Sequence, residues 1–403
     1  MEQCKKISRK FTALYSGIQF EYYVIMNALA SFTSVFLVRQ GYHSSDVGMV
    51  LGIATFLSVF LQPIVSDFVD NTKKYMISDI IVFCDLIMMV LTVGLLVLHG
   101  RSMLLSVIYV AVLVVMYILL PLTTQLNYEY EHAGIKMNFG IARAFGSIGF
   151  SFTAWLLGRL VDSMGVSSVP WCAMFGMITL LLTLKVLNRN YHALTQGNVK
   201  VEHEEELERI TLKQFAKDHK TMMVMFFGSM LMIVHLMVYC TYMYQFMEAI
   251  GGNASDMGNA IAVMAIVEVP VLMNYQKLED RFTSKTLMQV SLIGFLLKNV
   301  GFLVAKTTTA LILVQITQAL GFALYTPASI SFIHEHTRRQ EETKGQGVAQ
   351  SVFTAAGIIG NFVGGYMIDA FGCGVTIKAC SILTVIGAII VYVASNRVKA
   401  IQK

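Results

Sequence analysis

The stretch GRLVDSMG at residues 158–165 returns as GYMIDAFG at 365–372, and this recurrence decides the fold. It sets Asp162 and Asp369 207 residues apart. SSDVG at 44–48 and ASDMG at 254–258 place Asp46 and Asp256 210 apart, and AFGSIG at 144–149 and AAGIIG at 355–360 are offset by 211. Among only five prolines, Pro63 and Pro270 lie 207 apart, and Pro121 and Pro327 lie 206 apart. Chance supplies one such pair. Five pairs at nearly one offset imply two similar halves.

What each half is follows from composition. The 403 residues are 56% hydrophobic and 14% charged, with a mean hydropathy of +0.63. A soluble chain carries about 25% charged residues, so too little polar side chain is present to cover a water-facing surface. Apolar runs of about 20 residues, the length that spans a bilayer as helix, occur twelve times. They fall at 14–38, 46–66, 76–98, 103–127, 139–161, 167–188, 221–247, 256–276, 286–305, 308–333, 346–369 and 374–396. The expected fold is an all-α polytopic membrane protein with two six-helix parallel repeats, since an even number of spans per half preserves orientation. Such halves rock around a midplane site in transporters. The expected parts are an N-terminal half at 1–195, a cytoplasmic linker at 196–220 and a C-terminal half at 221–403.

Lys and Arg set the orientation. With both termini inside, the outer loops hold only Arg39, Arg101, Arg159, Lys306 and Lys378, against 23 basic residues on the inner side. The basic start MEQCKKISRK precedes no small-residue cleavage site, so the first apolar run reads as a retained span. The six cysteines form no CxxC pair and read as small buried hydrophobes, not as a disulfide or metal framework. No cofactor or metal is expected. No phosphate-binding glycine loop occurs, which speaks against an ATP-driven pump. The linker sequence EEELERITLKQFAKDHK reads as a solvated connection or a surface helix.

Ionisable residues inside spans mark functional candidates. Arg143 stands in NFGIARAFGSIGFSFTAWLL at 138–157 and either snorkels to the inner surface or projects inward. Glu21 stands in IQFEYYVIMN, Glu268 in IVEVP, Asp79 and Asp85 in the third span, His235 in the seventh and Lys298 in the ninth. Asp79 sits near a helix end and reads as structural, and His235 as a satisfied buried histidine. Gln19, Tyr22, Asn27, Asn127, Tyr242, Gln245, Asn299 and Tyr325 suggest a wet cavity suited to a sugar or nucleoside. The repeated glycines, Gly140, Gly146, Gly149 and Gly158 with Gly357, Gly360, Gly364 and Gly365, fit close helix approach.

The loop after the second span, QPIVSDFVDNTKK at 62–74, resembles the signature loop of the major facilitator superfamily. Asp70 takes the acidic position, Ser66 replaces the usual glycine, and Lys73 and Lys74 supply the basic part. The resemblance implies a latch formed by Asp70, Lys73 and Lys74. SSDVGMVLGIATFLSVFLQPIVSDFVD, FGIARAFGSIGF and LLKNVGF resemble the oligosaccharide–proton symporters, lactose permease among them. That resemblance makes Arg143 a sugar-binding arginine, Phe150 the stacking ring, Gln125 the partner of Arg143, and Lys298 a buried charge paired within the ninth-span region. Two positions depart from the pattern on the tenth span, VQITQALGF. The family histidine is Gln318 and the proton-carrying glutamate is Gly321, so the family's proton site is missing. Glu268, at the position of a sugar-binding asparagine, and Glu21 are the expected proton-coupling residues; the alternative for Glu268 is a permanent ion pair. The expected function is proton-coupled symport of a small polar organic solute, sugar first and nucleoside or aromatic acid next, with Arg143, Phe150, Gln125, Glu268, Gln318, Gln245 and Asn299 at the substrate. The alternative is an exporter of drugs or metabolites. The resemblance further implies a monomer in a bacterial inner membrane, with no nucleic-acid partner and no enzymatic activity. No appended signalling domain supports a sensor.

Overall fold

A computed structural model describes residues 2–71, 76–132, 135, 137–194 and 211–398. Every regular element among them is helical, as an apolar environment demands, because a helix satisfies its own backbone hydrogen bonds. The order is α1 (Glu2–Met26), a π-helical turn (Asn27–Ser31), α2 (Thr33–Arg39), α3 (Ser44–Asn71), α4 (Ile77–Val97), α5 (Met103–His132), α6 (Phe139–Met164) and α7 (Ser168–Leu194). There follow α8 (Leu212–Asp218), α9 (Lys220–Thr241), α10 (Met243–Glu248), α11 (Ala254–Glu279), α12 (Ser284–Val304), α13 (Thr308–Val314), a 3-10 turn (Gln315–Gln318), α14 (Phe322–His336) and α15 (Arg339–Arg397).

Ten described helices are long and apolar enough to cross a membrane, or eleven when the first pair, bent by 42°, counts as one. The protein is thus a multi-pass membrane protein. The 59-residue α15 is not one straight rod: Gly372 has φ 78° and ψ 168°, and two helices meet there. Divided at Gly372, α15 covers both of the last two expected spans. Only a residue without Cβ takes that φ at little cost. Exposed apolar side chains such as Phe83, Val90 and Val97 on α4 provide a lipid-facing surface.

The repeat reappears in backbone detail. Positive φ occurs at Gly41 and Gly251, 210 apart, and at Gly165 and Gly372, 207 apart. The first helix of each half is interrupted before its far end, at Phe32 and at Tyr242, again 210 apart. Pro63, Pro121, Pro270 and Pro327 all lie inside helices.

The chain divides into two compact units. The first is Met1–His43 with Val50–Glu204, and the second is Ser44–Met49 with Glu205–Lys403. The first turn of α3 therefore belongs to the second unit. Its backbone explains why: the N–H groups of Ser44 and Ser45 donate to Asp369 Oδ1 and Oδ2 at 3.0 and 2.7 Å. A carboxylate on the exposed amides of a helix start is a favourable charge–dipole arrangement.

In the second unit α12 and the tenth-span region touch backbone to backbone at Gly294 and Gly321, where a Cβ on Gly294 would overlap Gly321 N and the Leu320 carbonyl carbon. Gly294→Ala is expected to destabilise the protein by about 1–3 kcal/mol, the usual cost of overpacking. Gly374→Ala, which meets nothing within 4 Å, serves as the comparison. Thermal unfolding of both purified variants checks this; equal melting temperatures would refute the close contact.

Candidate functional site

In the first unit the candidate groups are placed by α1 and α6. Asn138 Oδ1 accepts from Ile141 N–H at 3.0 Å and starts α6. Ala142, Gly146, Gly149 and Thr153 then form its buried face. Gly146 lies under the Tyr23 ring, and Gly149 under the ring and carbonyl of Phe20, so α1 and α6 approach closely. The neighbouring stripe, Arg143, Ser147 and Phe150, is thereby set beside Tyr23. The Arg143 guanidinium stands 4.5 Å from the Tyr23 ring centre, and its Nη1 donates to Ser147 Oγ at 3.3 Å. Phe150 meets Tyr23 edge to face, with centroids 6.4 Å apart and planes at 74°.

Arg143 and Phe150 are thus brought together around Tyr23. A guanidinium over an aromatic face is a cation–π pair, and most of its five donors remain for a ligand, since Arg143 is exposed. The sequence reading missed Tyr23. Its signal was the pair Gly146 and Gly149, which need a bulky partner on α1. Gln125 is placed differently from expectation: no bond joins it to Arg143 among the described residues, and its Oε1 is buried without a hydrogen-bond partner.

The second unit holds a linear polar chain. Lys298 on α12 is 2% exposed, and its Nζ donates to Gln318 Oε1 at 2.6 Å. Gln318 Nε2 donates to Glu268 Oε1 on α11 at 2.9 Å. Lys298 Nζ also lies 3.8 Å from Met264 Sδ. The 3-10 turn Gln315–Gln318 carries the amide into this position; such interruptions recur at functional places in helices. One amide therefore joins a buried cation to a carboxylate across three elements. The local break in the tenth span, which runs from Gln315 to Gly321, was not legible from hydropathy.

Other expected site residues have structural partners. Asn299 is saturated inside the bundle: Nδ2 donates to Phe295 O and Thr384 Oγ1, while Oδ1 accepts from Tyr239 and Ser381. A group with all its bonds made inside a packed core has none to offer a solute, which corrects the expectation for Asn299. Gln245 is buried in α10, past the helix break at Tyr242, with its carbonyl 3.6 Å from Cys373 Sγ. Tyr22 donates to Met116 O, Tyr242 to Asn361 O and Tyr325 to Ser229 Oγ, so these three tie helices together. His235 packs edge-on against Tyr239 and Phe295, and neither ring nitrogen has a hydrogen-bond partner, which corrects its reading as a satisfied histidine. Asp79 Oδ2 accepts from Met76 N–H at the start of α4. Lys73 and Lys74 of the expected latch lie outside the described residues, and of Asp70 only its place in the last turn of α3 is described.

Comparison with known proteins gives this geometry its context. Residues 13–379 match the MFS_1 like family. The chain belongs to that family. A relative in Bacillus subtilis (strain 168), "Uncharacterized transporter YwbF", is 21% identical over 377 residues, covering 90% of this chain and 88% of the relative. The crystal structure of the nucleoside transporter NupG superposes with a TM-score of 0.78 at 16% identity, over 96% of this chain and 100% of NupG. An inward-facing bacterial homologue of the human lysosomal transporter Spinster gives 0.67 at 12% identity, over 98% and 97%. A POT family peptide transporter gives 0.68 at 10% identity, over 98% of each chain. At such identities the structural likenesses carry the fold. Family and fold together make the protein a membrane transporter of small molecules and not an enzyme.

Proposed function

We propose that the protein is a proton-coupled symporter for a small polar solute with a ring face, a sugar or a nucleoside, and that it works by alternating access. In this reading it has twelve spans, with halves at 1–195 and 221–403 joined by a cytoplasmic linker. It acts as a monomer in a bacterial inner membrane with both termini in the cytoplasm, and Asp70, Lys73 and Lys74 form a latch. Arg143 and Phe150, with Tyr23 between them, are the solute-binding residues of the first unit, and Glu268 and Gln318 those of the second.

The observation that carries the coupling is the Lys298–Gln318–Glu268 chain. Hydrogen bonds to charged groups are worth about 1.5–3 kcal/mol, more than neutral ones. Gln318 makes one such bond at each end of its amide. Protonation of Glu268 weakens the bond from Gln318 Nε2 and frees the amide to rotate toward a hydroxyl of the solute. Departure of the solute and release of the Glu268 proton to the inner side restore the carboxylate bond. Proton and solute are thereby linked through one side chain, in a place where the family's own glutamate is absent.

The arrangement around Tyr23 favours a solute with both hydroxyls and a ring. Nucleosides are the first to try, because NupG is a nucleoside transporter, although that likeness carries the fold alone. The test is uptake of radiolabelled sugars and nucleosides into vesicles with and without an imposed pH gradient. Accumulation of one solute class above equilibrium only with the gradient, inside acid-depleted, is expected. Uptake that ignores the gradient would overturn proton coupling, and extrusion would favour export.

A further inference from the structure

The first unit contains a second pair of acids, Asp85 buried and Glu21 half-buried, that the proposed solute chemistry leaves unused. Asp85 on α4 is fully buried, and neither of its carboxylate oxygens has a hydrogen-bond partner. Glu21 on α1 accepts from Thr183 Oγ1 of α7 at 2.7 Å through Oε1, while its Oε2 is buried without a partner. The helix register brings the two acids to one level. Thr92 of α4 meets Met177 Sδ of α7 at 3.9 Å, and both helices pack together. Moving seven residues back along α4 and seven forward along α7, about 10 Å in each, pairs Asp85 with Leu184, next to Thr183. Asp85 and Glu21 are accordingly within electrostatic reach of each other.

Among the described residues no basic side chain is bonded to either acid. Of the charged residues on the helices around the pair, Lys10 is bonded to Asn190, Arg143 to Ser147 and Arg159 to the Trp155 carbonyl. Arg9, Lys185 and Arg189 are exposed, and the other titratable neighbour of Asp85 is Cys84. Two uncompensated carboxylates in a low-dielectric bundle would each cost several kcal/mol, so the folded protein requires a neutralising cation there. The described residues hold no group of three or more His, Cys, Asp or Glu that suits a multivalent metal. Two carboxyls with a threonine suit a small monovalent cation. Glu21 lines a cleft of about 700 Å³ between α1 and α6, with Arg9, Thr12, Ser16 and Asn138 beside the apolar Phe20, Ile141 and Phe145.

We infer that Glu21 and Asp85 form a binding site for one monovalent cation, a proton or a sodium ion, inside the N-terminal unit and distinct from Glu268. It deepens the coupling part of the proposed function: a second cation is then held in addition to the proton exchanged at Glu268. Two readouts that need no transport test it. The first is carbodiimide labelling of purified wild-type protein, mapped by mass spectrometry, at several pH values with sodium or a large organic cation. The second is melting temperature against pH and sodium for wild type and the Glu21→Gln, Asp85→Asn double variant.

For a proton, adducts at Glu21 or Asp85 decline as pH rises, and wild-type melting follows pH more steeply than that of the double variant. For sodium, the ion protects against labelling at fixed pH and raises the melting temperature of wild type alone, because a ligand of the folded state stabilises it. Either result supports the site. Adduct formation indifferent to pH and sodium, with equal melting responses in wild type and variant, overturns it. The labelling arm needs no folded variant. A solute panel that failed would contradict the transport reading and leave these readouts untouched; Glu268→Gln protein should label at the pair as wild type does.

Discussion

Protein carrying Glu268→Gln is expected to exchange labelled solute across the membrane yet fail to accumulate it against a gradient. Glutamine keeps the size of the side chain and accepts from Gln318 Nε2 through its amide oxygen, so the chain from Lys298 stays connected. What it loses is the capacity to gain and release a proton. Counterflow, which needs binding and conformational exchange but no net proton movement, should stay within about tenfold of wild type, as for a variant that spares binding. Uphill accumulation should vanish. The comparison separates coupling from binding in one protein. Undiminished pH-driven accumulation would remove Glu268 from the coupling scheme and leave the Lys298–Gln318–Glu268 chain as a packing device.

Arg143→Lys is expected to weaken solute binding about ten- to hundredfold. That factor corresponds to the loss of one charge-assisted hydrogen bond of about 1.5–3 kcal/mol. Lysine retains the charge but not the planar fork, and it stacks less well on the Tyr23 ring now 4.5 Å from the guanidinium centre. Folding should be unaffected, because Arg143 is exposed and its bond within the helix is a 3.3 Å contact to Ser147. Tyr23→Leu should reproduce part of the loss by removing the ring that orients the guanidinium. Calorimetric binding to the purified variants, beside their melting curves, measures both effects. Wild-type affinity in Arg143→Lys would make Arg143 a surface anchor.

Hydropathy and the repeat were legible because they depend on residue type and spacing alone. The offsets of 207 for Asp162 and Asp369 and of 210 for Asp46 and Asp256 survive as paired positive-φ glycines and paired helix breaks. Partner choice was less legible. Asn299 and Gln318 are both amides in apolar spans, and no local pattern tells which faces a bundle core. Rotation of each helix about its axis decides, and packing sets that rotation: the Gly294–Gly321 contact aims Gln318 at Lys298 and Glu268. Tyr23 escaped notice for a similar reason, since its role follows from the close approach at Gly146 and Gly149. The assignment of Ser44–Met49 to the second unit depends on Asp369, 325 residues from Ser44 in the chain. Such a contact leaves no trace in a local window.

Solute-driven proton movement tests the central claim most directly. Proteoliposomes holding the purified protein, with no imposed gradient and weakly buffered medium, are given the solute identified by uptake while external pH is recorded. The account predicts prompt external alkalinisation as protons enter with the solute, abolished by a protonophore and absent in Glu268→Gln protein. Solute entry with no change in external pH, or with acidification, would contradict it.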